Sequence, residues 1–159
     1  MTNQTDKAPA IVSMDLTQRP PRSCHARLGG YVILPRLIDK ARAALAGKVG
    51  EYSDGSTGMN GRFLQFVGLE HAELKAQIAT GAGDWEILAW IQANSRHKRG
   101  DHEIASWSEY QRSRVTDSDT ETLENFAKAM RRLHPDREDI KTRFDYLDLD
   151  DYCSFGGKA

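Results

Sequence analysis

The sequence predicts an all-α single domain of six or seven short helices, and three observations carry that prediction. Apolar residues recur at three- and four-residue spacing in several separate windows, most clearly at Leu123, Phe126, Ala127, Met130 and Leu133. Helix punctuation recurs with them, with Pro35, Asp84 and Asp101 at expected starts and Gly47, Gly81 and Pro135 at expected ends. Strict apolar–polar alternation and internal repeats are both missing, so no sheet is expected beyond a short extended segment near Leu28–Leu34.

Residues 1–14 are polar and read as a disordered leader, and residues 15–159 read as one helical domain. Gly29-Gly30 and the following Tyr-Val-Ile-Leu make the extended segment. A helix opens at Pro35, carries Leu37, Ile38, Ala41 and Leu45 on one face, and stops at Gly47. A Gly-, Ser- and Asp-rich loop, residues 50–61, leads to a short aromatic segment, Phe63 to Val67, closed by Gly68. Glu70 to Ala79 buries Leu74 and Ile78. Asp84 is the expected N-cap of the next helix, in which Ile87, Leu88 and Ile91 form a stripe widened by Trp85 and Trp90. A basic connector, residues 94–100, precedes a helix capped by Asp101 with Ile104 and Trp107 inward. From about Asp119 to Leu133, Glu121 and Glu124 lie at the N-terminal end and Arg131 and Arg132 at the C-terminal end, an order that complements the helix dipole. Asp136 can start a last helix with Ile140, Phe144 and Leu147 inward.

Composition narrows the class of function. Hydrophobic residues are 39% of the 159 and charged residues 28%, too apolar for a disordered chain. No run approaches the roughly 20 apolar residues that span a bilayer, and the N-terminus lacks the pattern of a secretory signal. Cys24 and Cys153 are isolated thiols, which suits a reducing, cytoplasmic setting. The net charge is −1, so no whole-protein field favours nucleic acid or an anionic membrane. The distribution is uneven: residues 1–50 carry eight Lys/Arg against three Asp/Glu, and the remainder fourteen against twenty.

Several motifs, Arg19-Pro-Pro-Arg-Ser, Arg27-Leu-Gly-Gly-Tyr, Leu34-Pro-Arg-Leu-Ile-Asp-Lys-Ala-Arg, Gly50-Glu-Tyr, Phe66-Val-Gly and the C-terminal Phe144-Asp-Tyr-Leu-Asp-Leu-Asp-Asp-Tyr with Ser154-Phe-Gly-Gly, run from about Asp15 to the end. Together they resemble domain of unknown function 5069, a family of small bacterial cytoplasmic proteins without an assigned activity. The resemblance implies a shared compact fold and brings no catalytic residues. In that family an aromatic and an Asn-Cys pair often follow Gly-Glu-Tyr. Here Tyr52 is followed by Ser-Asp-Gly-Ser-Thr-Gly, so the resemblance implies no thiol chemistry at this loop.

Arginine supplies a planar fork of donors suited to carboxylate or phosphate oxygens. The candidate site is therefore Arg22, Arg27 and Arg36, with Tyr31, Asp39 and Tyr52, holding a small anionic ligand or the acidic surface of a partner. The competing expectation is that these arginines pair with Asp145, Asp148, Asp150 and Asp151 and staple the chain ends together. Asp39 also stands three residues from both Arg36 and Arg42, where intrahelical pairing accounts for it. An enzyme would use Asp39 as base, Lys40 to stabilise negative charge and Tyr52 as proton donor. His134-Pro135-Asp136 between two helices resembles the loop of a J-domain co-chaperone, and equally fits ordinary helix punctuation.

Other patterns exclude more than they suggest. Gly55, Gly58 and Gly61 lack the Gly-Lys-Ser/Thr of a phosphate loop. His102-Glu103 has Ser106 where a zinc site needs a second histidine, and the C-terminal aspartates lack calcium-loop spacing, so no metal and no cofactor are expected. Arg96-His-Lys-Arg has no interleaved aromatics, and no nucleic-acid partner is expected.

Overall fold

The computed structural model describes residues 10–115, 118–133 and 135–159. Among them seven helices are formed: α1 (Leu34–Leu45), α2 (Met59–Val67), α3 (His71–Ile78), α4 (Asp84–Asn94), α5 (Asp101–Ser113), α6 (Thr120–Leu133) and α7 (Arg143–Ser154). The only extended pairing among the described residues is a single antiparallel bridge, Leu28 to Tyr31. The fold is all-α, as the periodicity predicts. Among the described residues no helix is long and apolar enough to cross a membrane. Of the expected leader, residues 1–9 lie outside the described residues. So does His134, and Pro135 and Asp136 form a turn.

Helix α1 is the axis of the molecule. Leu34, Leu37, Ile38 and Ala41 are fully buried and pack with Phe63, Leu64 and Val67 of α2 and Leu74 and Ile78 of α3. Ile87, Leu88 and Ile91 of α4, Ile104 of α5 and Phe144 of α7 complete the same cluster. Every position from Tyr31 to Ala41 is buried, polar residues included. α1 contacts α2 and α3, α3 contacts α4, and α7 closes against α5 and α6.

The entry to α1 is conformationally demanding. Gly29 and Gly30 both have positive φ, 58° and 83°, as a two-residue type I′ turn requires. A Cβ at Gly29 would sit 2.7 Å from the Leu88 methyls. Ile33, the residue before α1, has φ 72° and is fully buried. A β-branched residue there costs about 1–3 kcal/mol, held in place by its burial and by donation from its amide to the Cys24 carbonyl at 3.1 Å. Ser108 of α5 fixes this turn from the other side. Its hydroxyl donates to the Gly30 carbonyl at 2.8 Å and accepts from the Val32 amide at 3.3 Å.

Several boundaries differ from expectation, each for a local reason. α2 begins at Met59, so Gly61 lies inside a helix and not in the preceding loop. Asp84 and Asp101 are first-turn residues. Gly83 and Gly100 precede α4 and α5, and their amides donate to Glu86 and Glu103 at 2.8 and 2.7 Å. Asp119 does cap α6, accepting from the Thr122 amide at 2.8 Å. The last helix starts at Arg143 behind a Thr142 cap, not at Asp136. Trp85 is 74% exposed and Leu123 51%, so neither belongs to its predicted stripe.

Removing the Ser108 hydroxyl leaves the Gly30 carbonyl and the Val32 amide without their buried partner. Ser108→Ala should therefore lower stability by about 1–3 kcal/mol in urea unfolding. A change within a few tenths would show that water satisfies the turn instead.

Candidate functional site

Burial of the polar side of α1 obliges its charges to find partners, because an unpaired buried ion is strongly unfavourable. Arg36, 6% exposed, donates from Nη1 and Nη2 to Asp151 of α7 at 2.7 and 3.0 Å. The Tyr52 hydroxyl donates to the same Asp151 at 2.7 Å, and the Arg36 guanidinium lies 5.5 Å from the centre of the Tyr52 ring. Burial first, and the bond to Asp151 second, hold the Tyr52 phenol well above the usual range. Arg36 also donates to the Arg22 carbonyl at 3.2 Å. Three segments far apart in sequence thus meet on one guanidinium.

Asp39 does not pair within its helix. Arg22 grips it through Nε, Nη2 and the backbone amide at 2.8–2.9 Å, and reaches Asp84 with Nη1 at 2.7 Å. Arg42 takes the other oxygen of Asp84 at 2.8 Å and the Ala82 carbonyl at 3.0 Å. Of the C-terminal aspartates only Asp151 receives an arginine bond among the described residues. Asp148 accepts from the Ser23 hydroxyl at 2.7 Å, and His25 stands 3.6 Å from Asp145.

The six candidate residues are thereby distributed. Arg36 and Tyr52 meet around Asp151, while Arg22 and Asp39 bind each other beside Asp84. Tyr31 lies in an aromatic cluster with Phe63, Phe66 and Trp107, where Phe66 and Trp107 stack at 4.9 Å. Arg27 is exposed at the glycine turn and donates to the Gly30 carbonyl at 3.2 Å. For the enzyme alternative, Lys40 and Tyr52 share a cavity wall, whereas both oxygens of Asp39 are occupied by Arg22.

Lys40 is the exception on α1. It is only 8% exposed, yet its ammonium makes no hydrogen bond or ion pair with the described residues. Burial, then the neighbouring Arg36 charge, push its pKa down to about 8, against weaker pulls from Cys24, Asp151 and Asp54. Lys40 lines a cavity of about 230 Å³ with Arg36, Tyr52, Cys24, Asp150 and Arg143. Arg143 rests on Tyr146, 5.0 Å from the ring centre, and its buried Nη1 has no hydrogen-bond partner. Thr57, Gly58, Met59 and Asn60, at the N-terminus of α2, form the facing wall, and no side chain caps that helix end. Asp150 is half-buried, and burial followed by the charge of Asp151 raises its pKa. With Arg36 neutralised by Asp151, the wall carries Lys40 and Arg143 against Asp150, an excess of one positive charge plus the positive end of a helix.

A larger open groove of about 510 Å³ adjoins this cavity through Tyr52 and Asp150. Its other polar side chains are Thr17, Ser154 and the Glu51 carboxylate, with no cation, so it offers an anion nothing. Among the described residues no group of three or more His, Cys, Asp or Glu could hold a metal ion. The basic connector is occupied internally: Arg96 binds Glu73 at 2.7 Å, Lys98 the carbonyls of Gln92 and Ala93, and Arg99 lies 4.4 Å from the Phe66 ring centre.

Sequence reasoning passed over Arg143, Cys24 and Asn60 as site residues. The one available signal was that Arg143 is the lone cation of the acidic stretch that forms α7.

Truncating either partner of the Arg36–Asp151 pair leaves a buried charge alone. Arg36→Met and Asp151→Leu should each cost about 3–5 kcal/mol in urea unfolding, with the double variant recovering much of that loss. Additive losses would show that the two groups do not depend on each other. No curated protein matches this sequence. A family model described as Domain of unknown function (DUF5069) matches residues 18–153, and the chain belongs to that family.

Proposed function

We propose that this chain is a cytoplasmic binding module for a small carboxylate-bearing anion, held in the cavity between α1, α7 and the N-terminus of α2. One observation carries the reading: Lys40 is only 8% exposed, lines that cavity, and its ammonium makes no hydrogen bond or ion pair with the described residues. A charge in such a place is costly unless a counter-charge arrives. Arg143 lines the same cavity and adds a second positive charge to its wall. Uncapped amides at the start of α2 supply further ones.

The size and charge of the cavity favour a ligand over a partner's surface. At about 230 Å³ the cavity is sized for a small metabolite and not for an extended partner surface. One net positive charge matches a monocarboxylate better than a dianion. Of the residues predicted for the site, Arg36 and Tyr52 stay with this reading as wall, their hydrogen bonds directed to Asp151. Cys24 is pushed up to about 11 by burial and contributes a neutral thiol.

Lactate is a suitable probe, since it is a monoanion across the relevant pH range. Calorimetric titration should show lactate binding at near-neutral pH that weakens as pH rises through about 8. The sign follows from Lys40: its folded-state pKa lies below the ordinary value of 10.5, so the ammonium that attracts the ligand is lost above about 8. Lys40→Met should bind about tenfold or more weakly, without that pH dependence, as expected for loss of a charged hydrogen bond. Equal affinity in Lys40→Met would overturn the reading.

A further inference from the structure

Resting on that reading of the cavity, we propose that its ligand is a 2-oxo acid and that Lys40 Nζ condenses with the ligand's carbonyl carbon to form an imine. Three features of the wall point beyond plain anion binding. Lys40 lines a space whose wall also carries two separate positive elements, the Arg143 charge and the start of α2. Those elements can keep in place a carboxylate that the Lys40 charge has drawn in. They leave the lysine free to address the neighbouring atom of the ligand, which in a 2-oxo acid is the electrophilic carbonyl carbon.

The competing nucleophile in the same wall is unsuited to the task. Cys24 is 1% exposed, and burial keeps it a thiol until about pH 11, whereas Lys40 is already part neutral amine near pH 8. Arg36, Cys24, Asp151 and Asp54 are the charged or titratable groups that act on Lys40 from the surrounding elements. Desolvation outweighs them all, which is how proteins make a lysine nucleophilic.

The step balances without an oxidant or reductant. The amine lone pair attacks the carbonyl carbon, the carbonyl π pair moves to oxygen, and the first of the two nitrogen protons passes to that oxygen. The resulting carbinolamine loses that oxygen as water while the nitrogen lone pair closes the C=N bond, and one nitrogen proton is released. Net, amine and ketone give imine and one water. Asp150, the carboxylate in the same wall, can take up the proton released from nitrogen and pass it to the departing oxygen. Once protonated, the imine nitrogen keeps the positive charge that Lys40 supplied, so the carboxylate stays neutralised.

The full chain incubated near pH 8 with pyruvate and borohydride reads this directly, because reduction fixes an imine as a stable secondary amine. Intact-mass analysis should show one reduced pyruvate adduct per chain. Peptide mapping should place it on Lys40, and excess lactate should suppress it. Lys40→Arg, and Lys40→Met as a second folded control, should lose the adduct. Adducts spread over exposed Lys48, Lys98 and Lys141, indifferent to lactate, would overturn the imine. No adduct in protein that still binds lactate would also overturn it and leave the anion site standing. No adduct and no lactate binding would remove both.

Discussion

The polar side of α1 lies as deep as its apolar side, and this constrains much of the remaining structure. An ordinary amphipathic helix exposes its charges to water, but residues 16–25 and α7 cover those of α1. Desolvating a charge is expensive, so each must meet an opposite charge or a set of dipoles. Arg36 reaches α7 through Asp151, and Asp39 holds the segment before the glycine turn through Arg22. Arg42 shares Asp84 with that same Arg22 and so fixes the start of α4. These contacts determine where the long irregular N-terminal segment and the C-terminal helix can lie, because few other arrangements would leave no ion stranded. The strained backbone of Ile33 fits the same account: the chain tolerates it where Cys24 and Ser108 over-determine the turn into α1.

Lys40 departs from that rule and thereby defines the site. Its charged neighbours on the helix have counter-charges delivered to them, and it has a cavity. Across the cavity stands a second cation, and beside it the uncapped start of a helix. Each feature alone has ordinary structural explanations. Three positive elements converging on one small volume, with only Asp150 opposing them, describe a place prepared for an anion from solution. The lowered pKa of Lys40 is the energetic trace of that unfilled demand, since a bound anion would restore the charged form.

The helices were legible because their cores are one-sided. Leu37, Ile38 and Ala41, or Ile87, Leu88 and Ile91, repeat at helical spacing and are buried as that spacing implies. Their ends were less so: Asp84 and Asp101 look like N-caps, but the glycines before them take that place and free Asp84 for two arginines. Asp39 and Lys40 were unreadable in a different way. Their local pattern is that of a solvated face, and it is covered by Arg22, 17 positions before Asp39, and by α7, whose Asp151 lies 115 positions after Arg36. The arginine-rich N-terminal stretch did signal ionic chemistry. Which arginine meets which aspartate is a property of tertiary packing, and so is the isolation of Lys40 and Arg143.

The most direct measurement is the titration of the Lys40 ammonium itself, followed by heteronuclear NMR with Lys40→Arg for assignment. The account predicts a midpoint near 8, moving upward when lactate saturates the cavity. A midpoint at the ordinary lysine value near 10.5, unmoved by lactate, would mean that water already satisfies this charge and that the cavity is not an anion site.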